Sequence, residues 1–62
     1  MNDYLRKECK LLKAFQGISY KEIAEYLEIT QDGFYCWIKG YYDLSNRKQQ
    51  RLKMIIEDLK EI

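Results

Sequence analysis

The chain has no proline and only three glycines in 62 residues, so it lacks the turn punctuation that a many-stranded sandwich or barrel requires. Helices are the elements such a chain can build. Sixty-two residues lie near the lower limit at which one hydrophobic core holds without metals, disulfides or a partner, so residues 1–62 read as a single domain. The composition, 47% hydrophobic and 34% charged, is too apolar for a disordered chain and too evenly charged for a membrane segment. The expected fold is all-α, a compact bundle of four or five short helices.

The chain contains no histidine, and its two cysteines, Cys9 and Cys36, stand far apart. This removes zinc-finger spacings, the Ser/His/Asp triad and the Cys/His pair. Paired carboxylates remain, but nothing positions them, so no enzyme, metal or cofactor is expected. With no signal peptide and no long apolar run, the expected setting is the cytoplasm, away from membranes, with both thiols reduced.

Helical periodicity divides the chain. Leu5, Cys9 and Leu12 recur at helical spacing, with Leu11 and Phe15 expected to widen that stripe, so the first helix runs roughly from Asn2 to Gln16 and stops at Gly17. Ser19 with Glu22 three residues on forms the reciprocal S-x-x-E start of a second helix, and Ile18 and Ile23 can staple it. Ile23, Ala24 and Leu27 share one face of this helix, residues 20–27. Thr30 is the N-cap expected for a third helix, whose inward face is Phe34, Trp37 and Ile38 and which Gly40 ends. Residues 41–44 form a loop. Ser45 then caps a fourth helix carrying Leu52, Ile55, Ile56 and Leu59.

The formal net charge is +1, so any polyanion must be attracted by local charge rather than by a global field. Residues 1–18 and 31–51 each sum to +2, whereas residues 19–30 sum to −2. Arg47, Lys48 and Arg51 occupy the first two turns of the fourth helix, where bases oppose the macrodipole at a cost of about a few tenths of a kcal/mol each. That cost suggests an external anionic partner.

Residues 20–39, YKEIAEYLEITQDGFYCWIK, resemble the helix-turn-helix unit of the Cro and lambda-repressor-like superfamily of phage and bacterial regulators. Ile23 and Ala24 match the apolar and small residues of its first helix, Leu27 its closing residue, Ile29 the apolar turn residue, and Phe34 and Trp37 the inward sites of its second helix. An alanine suits a site where two helix backbones approach closely. Two positions depart from the pattern. Glu28 stands where the family has a turn glycine, costing about 1–2 kcal/mol if left-handed, and Gly33 lies inside the third helix, costing about 1 kcal/mol relative to alanine.

The resemblance implies that the third helix enters the major groove of double-stranded DNA. Its base-contacting residues are then Thr30, Gln31, Asp32, Tyr35 and Cys36, with Gln31 suited to adenine and Asp32 to cytosine N4. Asp32 also suits the helix dipole without any ligand. Phosphate contacts fall to Ser19 and Tyr20 at the start of the second helix and to Lys39, Tyr41, Tyr42, Arg47, Lys48 and Arg51 after the third. Tyr41 and Tyr42 equally suit packing over the core or at a subunit interface.

The leading expectation is a non-enzymatic, sequence-specific transcriptional regulator, a repressor by operator occupancy. So short a recognition helix reads few base pairs, so a homodimer is expected, formed in solution or only on DNA. Its candidate surfaces are Met54 and Ile62 on the fourth helix and the Tyr41-Tyr42 loop. The alternatives are a protein-interaction module on the same scaffold, such as an antirepressor or adaptor, and the DNA-binding component of a recombination or packaging machine.

Overall fold

A computed structural model describes residues 1–61; Ile62, named above for a dimer surface, lies outside the described residues. The elements are α1 (Asn2–Gln16), α2 (Tyr20–Leu27), α3 (Gln31–Ile38) and α4 (Asn46–Lys60), and no strand occurs among the described residues. The all-α bundle expected from the sequence is therefore observed, with four helices. α2 packs on α3, and α4 packs on both α1 and α2.

The starts of α2, α3 and α4 follow from hydroxyl caps. The side chains of Ser19, Thr30 and Ser45 accept the backbone N–H of Glu22, Gly33 and Lys48 at 3.2, 3.0 and 3.3 Å. Each such cap contributes about 1 kcal/mol. The S-x-x-E pair differs in detail from the expected reciprocal form: the Glu22 carboxylate accepts the Ser19 hydroxyl, at 3.4 Å.

The first three helices end at or just before left-handed residues. Gly17 has φ 69° and Gly40 φ 86°. Behind α2 the left-handed residue is Glu28, with φ 62°. The N–H of Glu28 donates to Glu25 O and that of Ile29 to Ala24 O, both at 3.1 Å, which is the paired closure of a Schellman turn. The two-helix unit thus turns at a strained non-glycine residue, as its sequence implied.

The core is built from Leu5, Cys9 and Leu12 of α1, Ile23, Ala24 and Leu27 of α2, Phe34 and Trp37 of α3, Leu44, and Leu52, Ile56 and Leu59 of α4. Ala24 is 1% exposed, as expected for a close-approach site. Ile38 and Ile55 are only half-buried. The α1 stripe is corrected: Leu11 is 39% exposed and Phe15 80%, so neither widens the core. The buried flank of α1 carries Glu8 instead, whose carboxylate accepts the Lys60 ammonium at 2.6 Å.

Two residues in the first turns of α1 secure the far end of α3. Asn2 Oδ1 accepts both Trp37 Nε1 (2.8 Å) and the Leu44 amide (2.9 Å). Arg6 turns inward. Its Nε donates to Trp37 O at 2.6 Å and its Nη2 to Tyr42 O at 2.7 Å, with Asp3 and Asp43 pairing at 2.9 and 3.0 Å. The guanidinium also lies 5.2 Å from the Trp37 ring centroid.

Arg6→Met leaves two carbonyls without their donor and is expected to lower stability by about 2–3 kcal/mol in urea unfolding, since hydrogen bonds from charged groups are the strong ones. Arg6→Lys restores less than half, because one ammonium does not span the fork. A second expectation concerns pH. The Lys60 hydrogen bond, followed by that of Tyr4, holds the Glu8 carboxyl below its ordinary 4.5. Its stabilisation is present above that value and is lost as pH falls through the lowered one. Glu8→Gln should therefore melt below the parent at neutral pH, and the difference should shrink well below pH 4.5.

Candidate nucleic-acid interface

With Phe34 and Trp37 buried, α3 turns the opposite side outward. Gln31, Asp32 and Lys39 are exposed, and Tyr35 and Cys36 are half-buried beside them. Thr30, also exposed, uses its oxygen as the α3 cap, leaving the hydroxyl proton for a ligand. Gln31 Nε2 donates to the Tyr35 hydroxyl at 3.0 Å, so the two side chains form a pair before any ligand arrives.

Tyr35 lies edge-on to Tyr20, with centroids 5.8 Å apart, and Tyr20 packs on Phe34 at 5.5 Å. Tyr20 is therefore a half-buried side chain whose hydroxyl pKa burial raises, with smaller contributions from Cys9 and Tyr35. Lys13 Nζ sits 4.4 Å from the Tyr20 centroid. This places a cation over the side chain of the first residue of α2. Lys13 was not among the sequence candidates, although Arg6, Lys10 and Lys13 stand at i, i+4 and i+7, a basic flank legible from helical spacing.

On the other flank of α3 lies Tyr42. Its hydroxyl donates to Gly33 O at 2.7 Å, joining the loop to the first turn of the helix. A Cβ at position 33 would stand 2.9 Å from Thr30 Oγ1 and 3.6 Å from the Tyr42 hydroxyl. Glycine there thus preserves the cap, a gain that helix propensity alone does not register, while the tyrosine would meet a Cβ only in ordinary contact. Tyr41, by contrast, is 73% exposed.

The bases at the start of α4 divide into two sets. Arg47 is exposed and forms no ion pair among the described residues. Lys48 Nζ donates to Leu27 O at 3.3 Å, and Arg51 Nη2 reaches Tyr26 O at 3.4 Å and Glu28 Oε1 at 3.0 Å. These cations sit at the carbonyl end of α2, where the macrodipole favours them. The cost that suggested an external partner is thus offset from within for Lys48 and Arg51, to which α2 supplies carbonyls, but not for Arg47. Glu28, Ser45, Arg47, Lys48 and Arg51 together line a polar groove of about 290 Å³.

Cys9 and Cys36 are both free. Burial, and secondarily Glu8, pushes the Cys9 thiol up to about 12, which makes it unreactive. Among the described residues no group of three or more His, Cys, Asp or Glu side chains can hold a metal ion, and no helix is long and apolar enough to cross a membrane. Comparison with family models, curated proteins and solved structures finds no match to this chain.

Glu28→Gly separates strain from charge at the turn. It relieves a left-handed cost of about 1–2 kcal/mol and loses an ion pair between side chains 73% and 53% exposed, which solvent screens to well under 1 kcal/mol. A net gain of about 1 kcal/mol is expected in denaturant unfolding.

Proposed function

We propose that this protein is a sequence-specific double-stranded DNA-binding regulator of transcription, acting without catalysis by occupying its operator. One observation carries the reading. α2 and α3 are joined by a tight turn, and α3 buries Phe34 and Trp37 while presenting Gln31, Asp32, Tyr35, Cys36 and Lys39 outward. In this reading the start of α3 lies in the major groove. Gln31 and Tyr35 act as a unit on the bases, with Thr30, Asp32 and Cys36 around them.

The phosphates on one side of the groove fall to Ser19, Tyr20 and the added cation Lys13, and on the other to Lys39, Tyr41, Tyr42 and Arg47. Lys48 and Arg51 contribute field more than contact, since α2 already engages them. Occupancy by a homodimer on a two-fold site, in the cytoplasm of a bacterial or phage-infected cell, completes the proposal. A protein-interaction role for the same scaffold is favoured by one observation, the solvent exposure of Tyr26, Tyr41 and Met54.

Selection of bound duplexes from a randomised pool at near-physiological salt tests the reading. The expected result is an enriched motif with two-fold symmetry and half-sites about one helical turn apart. Gln31→Ala should then relax preference at one base pair, whereas Arg47→Ala should weaken all sequences alike and reduce the salt slope by about one. No enrichment, with affinity unmoved by Arg47→Ala, would overturn DNA binding in favour of a protein partner.

A further inference from the structure

Where the carbonyl end of α2 meets the first turns of α4, three cations stand against one carboxylate: Arg47, Lys48 and Arg51 line the groove of about 290 Å³ together with Ser45 and Glu28. Arg47 and Lys48 lie four and three residues before Arg51, so all three share one helix face, on which like charges repel. They also occupy the positive end of the α4 dipole. Carbonyls of α2 offset this cost for Lys48 and Arg51, whereas Arg47 forms no ion pair among the described residues. The fold thus gathers more positive charge at this groove than it uses.

Donors remain as well as charge. Lys48 gives one ammonium proton to Leu27 O, and Arg51 engages Tyr26 O and Glu28 through Nη2, which leaves its Nε and Nη1. Two guanidinium forks and an ammonium around one groove are a donor set for phosphate oxygens, which guanidinium binds in two-point fashion. The groove lies at the lower limit of small-ligand sites, about 300 Å³, so it takes a compact charged head group and no large apolar body. Glu28 at present holds the place of that anion. Its carboxylate accepts Arg51 Nη2 at 3.0 Å, yet its side chain is 73% exposed. An ion pair so open to water exchanges partners at little cost.

We infer that the groove between the end of α2 and the start of α4 binds a diphosphate group, which displaces the Glu28 carboxylate from Arg51 and engages Arg47 and Lys48. The ligand is a phosphorylated small molecule; a nucleic-acid backbone offers the same oxyanion chemistry. The site requires no DNA-binding role for α3.

NMR titration of the parent chain with inorganic pyrophosphate at fixed ionic strength tests it without DNA. The expected result is saturable movement of the Asn46, Arg47 and Lys48 amide resonances. Arg47→Ala, which breaks no ion pair among the described residues, should weaken binding about tenfold. Lys39→Ala, outside the groove, should leave it unchanged. Glu28→Gln should tighten binding about threefold, by removing the competing carboxylate. Glu57→Gln makes the same charge change about 15 Å further along α4 than Arg47, beyond the screening length of about 8 Å at physiological salt, and should have no effect. Helical circular dichroism confirms that each variant folds. Shifts that do not saturate, equal weakening by Lys39→Ala and Arg47→Ala, or a Glu28→Gln affinity no tighter than that of Glu57→Gln would each overturn the proposal. With duplex DNA in place of pyrophosphate, a backbone phosphate seated in the groove makes Glu28→Gln bind more tightly than Glu57→Gln; equal affinities, or no duplex binding, assign the groove to the free ligand.

Discussion

The guanidinium of Arg6 governs how the helices of this small chain meet. It donates to Trp37 O at the end of α3 and to Tyr42 O in the following loop, while Asn2, one turn earlier, accepts from the Trp37 indole and the Leu44 amide. These bonds join residues more than thirty positions apart. They replace what a larger protein obtains from core volume, because a chain of this size buries proportionately less surface. The outward face of α3 inherits its orientation from them: α1 holds its far end, α2 its buried side, and Tyr42 its first turn.

The same principle recurs at α2. Carbonyls left over at a helix end need donors, and here Lys48 and Arg51 of α4 reach across to supply them. Basic side chains therefore serve two purposes in this protein, and the two are separated by residue. Arg6, Lys48 and Arg51 are engaged within the fold, whereas Lys13 lies over Tyr20, Lys39 closes α3 and Arg47 stands exposed in the groove at the end of α2. With a net charge of +1, this sorting determines where the surface can meet an anion.

Much of the architecture was legible in the sequence because its signals are local. Ser19, Thr30 and Ser45 are hydroxyls placed where a helix must begin, and Gly17 and Gly40 stand where one must end. The alternation around Ile23, Ala24, Leu27, Phe34 and Trp37 identified the inward faces of α2 and α3. The errors fell where only tertiary placement decides. Leu11 and Phe15 have the helical spacing of core residues, yet α4 meets α1 on the flank of Glu8, leaving them outside. Arg6 and Lys48 look like surface bases until their distant carbonyl partners are known. Gly33 reads as a weak helix position because the crowding that a side chain would meet there, against the oxygen of the Thr30 cap, depends on how that cap is placed. The outward position of Gln31, Asp32 and Lys39 was legible from the helical pattern, while the Gln31-Tyr35 bond and the proximity of Lys13 to Tyr20 depend on side-chain placement.

The backbone at Gly33 is where the loop after α3 returns to that helix. The Tyr42 hydroxyl presses onto its carbonyl, and the Tyr42 carbonyl is in turn gripped by Arg6. The loop is thus a clasp closed at both ends, one on the leading turn of α3 and the other on α1. The loop and the first turn of α3 are therefore held to α1 through one residue.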